Sequence, residues 1–410
     1  MEKPKVRFIE HREDWNKCNL ENCLTIGNER NYKMIYRKED TLSVSDDYGV
    51  VNQIQHLGRS YAGADVSNYK ILHPGQIVYT KSPLKAKPYG IVKVNKGDAG
   101  IVSVLYAIYN VKEGVLPDYI HFYFDPFFRV NKYLLPLINK GAKNTINISD
   151  EIFLKGDITI PKSVSEQQQI ASYFKSLDSL IQETTKKISS LKQLKSASLL
   201  SMFPQAGETK PRIRFKGFEG EWVEKKLSDI SQKVIEKNRN LKYKVTLTNS
   251  AEYGIVNQLD FFDHQISNGD NIKGYFVVEN DDFVYNPRIS VTAPVGPINR
   301  NKLGYTGVMS PLYYVFKVYG VDKNYLDYFF KTDIWHKFMK DNGNTGARFD
   351  RISISDDTFE KMPIIQPSSL DEQQRIANFF RSLDTQISLE TQRLDKLKQI
   401  KSACLDKMFV

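Results

Sequence analysis

Residues 166–203 and 372–409 carry the same segment twice. EQQQIASYFKSLDSLIQETTKKISSLKQLKSASLLSMF and EQQRIANFFRSLDTQISLETQRLDKLKQIKSACLDKMF align without a gap at an offset of 206, with 20 of 38 positions identical. Chance at ordinary composition gives about two or three identities. A period this long means a duplicated domain-sized unit rather than a solenoid of short repeats. The segments before each copy match more faintly. Pro4, Arg7, Phe8 and Trp15 answer Pro211, Arg214, Phe215 and Trp222; YGVVNQ at 48–53 answers YGIVNQ at 253–258; Tyr79 answers Tyr285; Ser149 and Asp150 answer Ser355 and Asp356. Any fold for this chain must therefore seat two copies of one frame whose content differs.

The repeated segment has helical spacing. Ile170, Phe174, Leu177, Ile181, Ile188 and Leu191 step by four and three, with one polar position at Thr184. Ile376, Phe380, Leu383, Ile387, Leu394 and Leu397 do the same, with Glu390 at the polar position. That is a heptad seam. Ser163 with Glu166 and Ser369 with Glu372 have the spacing of a capping box, with Pro161 and Pro367 just outside. Pro204 and Gly207 stop the first helix. A rod of this length is about 58 Å. A long helix with a narrow apolar stripe lies along its own globular domain or pairs with another helix. Two in one chain favour an antiparallel pair, with the duplicated halves related by a pseudo-twofold axis.

The variable segments hold short apolar runs such as QIVYTK, IVSVLYAIY, YFVV and LYYVFKVYG between Gly, Pro, Asn and Asp breaks. These predict strands and turns, with helices near 118–140 and 322–341. The fold class is α/β (α+β): two globular mixed domains and two long antiparallel coiled-coil helices. The expected boundaries are 1–160 for the first variable domain, 161–205 for a central helix, 206–362 for the second variable domain and 363–410 for a distal helix.

Lys and Arg number 58 against 48 Asp and Glu, a formal charge of +10. Residues 1–205 hold 28 basic and 21 acidic residues and residues 206–410 hold 30 and 27, so the halves carry +7 and +3. The surplus favours a polyanionic partner only weakly. Cys18, Cys23 and Cys404 form neither a disulfide framework nor a CxxC zinc pair, which points to a reducing compartment. No apolar run approaches the roughly 18 residues of a membrane span and MEKPKVRFIEHREDW lacks a signal-peptide core, so the chain reads as cytoplasmic without a membrane partner.

Catalytic signatures are sparse. There is no GxxxxGK[ST] phosphate loop, no FxGxG turn for S-adenosylmethionine and no HExxH zinc motif. Asn286-Pro287-Arg288 shares only its start with the NPPY motif of amino-methyltransferases. Glu221, Glu224 and Lys225 have no acidic partner on a neighbouring strand and read as a solvated turn. We assign no catalytic and no metal-binding residue. Nucleic-acid contacts are better supported. Lys81, Lys85 and Lys87 lie in YTKSPLKAKPYG; Arg288 and Arg300 lie in the matching stretch YNPRISVTAPVGPINR; Lys143 and Asn144 in GAKNTINIS answer Arg348 and Arg351 in NGNTGARFDRIS. Arg and Lys on loops take phosphates, Arg also forks onto guanine, and Asn onto adenine. Corresponding loops are basic in both halves although their sequences differ. Asn52-Gln53 and Asn257-Gln258 are shared, which points to the common fold or to backbone contacts.

The PxxxEQQxIAxxFxxLDxxI…LKxxKxxxLxxMF stretch, present twice, resembles the central and distal conserved regions of specificity (S) subunits of type I restriction–modification enzymes. The segment running from Arg7 to Trp15, and again from Arg214 to Trp222, resembles that family too. The resemblance implies two target recognition domains, each binding half of a bipartite site in double-stranded DNA. It implies an antiparallel coiled coil that sets the spacer. It implies two modification subunits, carrying S-adenosylmethionine and methylating adenine N6, and two ATP- and magnesium-dependent restriction (translocase–nuclease) subunits. Cofactors then belong to the partners, and this chain is a non-catalytic subunit. No tandem spacer repeats are present in the central region. The rival readings are a self-contained nuclease or methyltransferase, and a coiled-coil protein-binding scaffold without DNA specificity.

Overall fold

The computed structural model describes residues 3–82, 87–138, 148–205, 207–261, 271–345 and 350–410. They fall into two compact units, Met1–Lys186 with Thr391–Val410, and Lys187–Glu390.

In the first unit, Leu24–Ile26, Ala107–Val111, Ile77–Tyr79 and Val92–Val94 form a four-stranded antiparallel sheet in that order. Asn16–Asn19 pairs with Asp157–Ile160, Leu42–Ser45 with Gly49–Asn52, and Lys70–Leu72 with Gly100–Val102, all antiparallel. The central strand is apolar at every position because it is covered on both faces. Ile77 and Tyr79 join one core with Tyr109, Tyr119, Phe122 and Phe153. Val78 points the other way, into a cluster with Leu42, Leu72, Val102 and Ile108. The predicted helical region near 118–140 is two helices, Pro117–Phe124 and Phe127–Leu134. Pro117 opens the first at a position whose backbone N–H has no helical partner.

The second unit repeats these four sheets and adds a short ladder of Asn344–Thr345 with Ile352–Ser353. Ser231–Lys233, Tyr314–Val318, Phe283–Tyr285 and Ile298–Arg300 form the four-stranded sheet. Val223–Lys226 pairs with Pro363–Gln366, Leu247–Ser250 with Gly254–Asn257, and Phe276–Val278 with Gly307–Met309. Phe283 and Tyr285 face one core and Val284 the other. The helical stretch near 322–341 is Lys323–Phe329 and His336–Asn342. Asn52 and Asn257 serve the fold: each side-chain Oδ1 accepts a backbone N–H from the start of the following helix (Ile54 and Leu259, 3.0 and 3.1 Å).

The two long helices are Val164–Met202 and Leu370–Lys407. Each unit contains the start of one and the end of the other, packed antiparallel. In the first unit Tyr173 meets Cys404 (3.3 Å), Lys401 pairs with Asp178 (2.7 Å), and the Phe174 and Phe409 rings stack 5.7 Å apart. In the second, Lys187 pairs with Glu390 and Lys195 with Asp384 (both 2.5 Å), and Phe203 lies 6.0 Å from Phe380. The contacts are reciprocal: Asp178–Lys401 becomes Asp384–Lys195, and Phe174–Phe409 becomes Phe380–Phe203. Both alternatives posed by the helical stripe are realised. Ile170, Phe174 and Leu177 are buried in the globular core of the first unit together with Leu405 and Phe409. Ile376, Phe380 and Leu383 are buried in that of the second with Met202 and Phe203. Ile188 is also buried, whereas Ile181, Leu191, Ile387, Leu394 and Leu397 are half-buried.

The EQQ triplets do more than cap. The hydroxyls of Ser163 and Ser369 do accept the N–H of Glu166 and Glu372 (3.4 Å each). The carboxylates, however, turn away from the capping-box role. Glu166 takes two hydrogen bonds from Arg7 (2.6 and 2.8 Å) and one from the Trp15 indole (3.1 Å). Glu372 takes the same pair from Arg214 (2.6 and 2.8 Å). A bidentate guanidinium outcompetes a lone backbone amide for a buried carboxylate. Gln167 accepts the N–H of Leu116 (2.9 Å) and donates to the carbonyl of Pro161 (3.1 Å). Gln373 binds Asp322 and Pro367 likewise (2.8 and 2.9 Å). These locks account for the repeated Arg, Glu and Gln; the tryptophan joins only the first, since the buried Trp222 indole nitrogen has no hydrogen-bond partner among the described residues.

Glu166→Ala strands a guanidinium that is only 13% exposed. We expect it to lower stability by about 3–5 kcal/mol, read from chemical denaturation. The double variant with Arg7→Ala should recover part of that loss; single and double variants of equal stability would show that the pair contributes nothing.

His121 is buried, and burial, reinforced by Lys93, lowers its pKa to about 3. Its unfolded form takes a proton near pH 6.5, and the folded form does not until far lower. Stability from this group is therefore complete above pH 6.5 and lost as pH falls toward 3. Asp125 acts in the same direction: burial opposes its charge, but Lys93 and Lys401 outweigh burial and hold its pKa down. His121→Phe should flatten the acid limb of stability. An unchanged pH profile would remove His121 from that account.

Candidate nucleic-acid interface

Four of the nine expected contact residues, Lys85, Lys143, Asn144 and Arg348, lie outside the described residues. The other five divide into two groups.

Lys81, Lys87 and Arg300 are engaged within their own domains. The Lys81 ammonium bonds to Asp150, which also takes Lys70 at 3.3 Å. Lys87 pairs with Asp46 at 2.5 Å and donates to the Asp125 carbonyl at 3.1 Å. Lys93 joins Asp125 at 2.8 Å. Arg300 donates to Asn324 at 2.7 Å and stands 3.7 Å from Asp281, with its side chain 9% exposed. A cation already paired with a carboxylate presents little net charge to a phosphate.

Arg288 and Arg351 are arranged otherwise. They face each other across an isolated antiparallel bridge, braced by Ile289 N–H to the Asp350 carbonyl (3.0 Å) and Ile352 N–H to the Pro287 carbonyl (2.9 Å). Asn286 shapes this loop: its Oδ1 accepts the Arg288 N–H (3.0 Å), and its Nδ2 donates to the Asn249 carbonyl (2.8 Å). Among the described residues the Arg351 guanidinium has only the Asp350 carboxylate within ion-pair range, at 3.9 Å, and its side chain is 48% exposed. Both arginines line a cleft of about 300 Å³ with Ser250, Asn286, Ser290 and Tyr313. Two guanidinium groups with amide and hydroxyl neighbours form a surface that takes phosphates and base edges. Linear sequence placed the two arginines on loops more than 60 positions apart; the bridge makes them one site. Ser250, Asn286 and Tyr313 carried no signal in the sequence as members of it.

Among the described residues there is no cluster of His, Cys, Asp and Glu able to hold a metal ion, and no helix long and apolar enough to cross a membrane.

The chain carries one α+β domain twice, each copy locked by the same Arg–Glu pair to a long helix and each with different loops. Residues 12–193 and 219–399 each match the type I restriction modification DNA specificity domain, and the chain belongs to that family, whose specificity subunit is non-catalytic. Its role is DNA sequence recognition. The S subunit of the type I restriction–modification system from M. genitalium has the same fold, with a TM-score of 0.57 at 11% identity, covering 100% of this chain and 99% of that one. A chain solved for complex assembly and conformational transition of the type I R-M system gives a TM-score of 0.49 at 13% identity, covering 97% and 98%. The HsdS subunit from Thermoanaerobacter tengcongensis gives 0.46 at 13%, covering 97% of each. No curated protein matches the chain.

Proposed function

We propose that residues 1–160 and 206–362 are target recognition domains that each read one half of a bipartite, asymmetric DNA site. Residues 161–205 and 363–410 are the helices whose length sets the unread spacer and whose outer faces dock two modification subunits. Those subunits carry S-adenosylmethionine and methylate adenine N6. Two restriction subunits, dependent on ATP and magnesium, complete the complex. The observation that carries the reading is the contrast within the repeat. Sheets, Arg–Glu lock and helix ends coincide, while the loops that hold Arg288 and Arg351 in one copy have different residues in the other. A constant frame with variable loops suits two unrelated sequences read at a fixed separation, because half-site spacing follows protein geometry.

Arg288 and Arg351 are the contacts we favour in the second domain. Lys85, Lys143, Asn144 and Arg348, in matching stretches of the sequence, are proposed with them. Lys81, Lys87 and Arg300 act through their bonds to partners within the domains. The test is co-expression with the cognate modification subunit in a host lacking adenine methylation, read by methylation-aware sequencing. One bipartite motif is the expected result. A contiguous motif, or methylation by this chain alone, overturns it. Assembly with partners but no salt-sensitive DNA retention would leave the protein-binding scaffold instead.

A further inference from the structure

The repeat carries an exposed leucine that the fold does not require. Ser103-Val104-Leu105-Tyr106 and Ser310-Pro311-Leu312-Tyr313 occupy the same turn of the two domains, each following the strand that ends at Val102 or Met309. Two of the shared residues have work inside the domain. The serine hydroxyls accept the leucine N–H (3.3 and 3.4 Å) and the serine carbonyls accept the tyrosine N–H (3.0 and 3.1 Å), which closes the turn. Tyr106 and Tyr313 pack against the cores beside it, and the Tyr313 hydroxyl reaches Thr248 at 3.1 Å. The leucines do neither. Leu105 is 67% exposed and Leu312 60%. A turn tip ordinarily takes a polar residue, and these two domains differ at most loop positions. The same large apolar side chain held in water at both sites therefore answers something the two half-sites have in common.

Its neighbours indicate what that is. Leu312 and Tyr313 line the cleft that holds Arg288 and Arg351, and also an adjoining cleft of about 240 Å³, with Pro287 shared by both. The leucine thus lines the same cleft as guanidinium groups suited to phosphates. An apolar side chain so placed has nothing to offer a phosphate; it suits base faces, as apolar wedges do between base steps. Resting on the reading above, we propose that Leu105 and Leu312 are equivalent DNA contacts, one per domain. Each inserts against the base stack of its own half-site whatever the sequence there. Insertion loosens the stack beside the target adenine, which must leave the duplex to be methylated.

The experiment uses the assembled complex with its modification subunit. Its duplex carries the motif found by sequencing, with 2-aminopurine in place of the target adenine in one half-site or the other. Leu312→Ala should abolish the rise in fluorescence in the half-site of the second domain only, and Leu105→Ala in the other only; Leu312→Met should restore it. Leu312→Ala should also weaken binding about tenfold with no change in the salt slope. Arg288→Ala with Arg351→Ala should instead flatten that slope by about two. Wild-type fluorescence in both leucine variants overturns the proposal. So does loss of the modification subunit from the complex on size exclusion, which would make the leucines protein contacts. If the wild-type complex retains no duplex at all, the DNA reading itself fails.

Discussion

Leu383→Asp should unfold the second unit and abolish complex assembly, and Leu177→Asp should do the same to the first. Both leucines are at most 7% exposed and sit in the mixed core of globular domain and helix pair. A carboxylate there has no cation to meet among the seam residues, and burying it unpaired, added to the lost leucine, costs at least about 4 kcal/mol. That is a large share of the stability of an ordinary domain. Circular dichroism with urea titration reads the loss of structure, and size exclusion with the modification subunit reads assembly. A folded Leu383→Asp variant that still forms the complete complex would show that the seam is dispensable. Leu389→Asp, on the same helix but 59% exposed, is the matching control and should leave stability within about 0.5 kcal/mol.

The second large effect is on specificity. Exchanging residues 211–362 for the corresponding segment of another member of the family should replace one half of the methylated motif and leave the other half and the spacer untouched. The basis is the reach of the frame. The Arg214–Glu372 lock and the Gln373 contacts tie the second domain to the start of its own helix. The first domain has its own Arg7–Glu166 and Gln167 set. The donor segment must keep the arginine equivalent to Arg214 for the lock to close. Methylation-aware sequencing reads the outcome. A change in both half-sites, or in spacer length, would mean that recognition is not divided by domain.

The duplication, the helical seam and the family were legible from residue order. Twenty identities over one offset need no geometry, and heptad spacing follows directly from the period of the α-helix. Strands such as Ile77–Tyr79 and Phe283–Tyr285 were legible as apolar runs, but not as the middle of a sheet buried on both faces. The contact residues were legible only in part. Lys81 and Lys87 looked like free loop cations because Asp150 and Asp46 lie 69 and 41 positions away. Ion pairing at such separations leaves no local trace. Ser163–Glu166 and Ser369–Glu372 satisfied the spacing of a capping box, yet the carboxylates were claimed by Arg7 and Arg214, each about 158 positions distant. Spacing shows what a side chain is able to reach locally; it does not show a stronger partner arriving from elsewhere in the chain.

Sequence alone determined that this protein is one frame written twice, with two long helices and two unlike domains, because repetition and periodicity are properties of residue order. Tertiary structure decided which charges remain available. It brought Arg288 and Arg351 together across a bridge, closed Lys81, Lys87 and Arg300 onto acidic or amide partners, and left Leu105 and Leu312 in water at the same turn. Electrostatic pairing and solvent exposure depend on distance in space, and only the folded chain sets that distance.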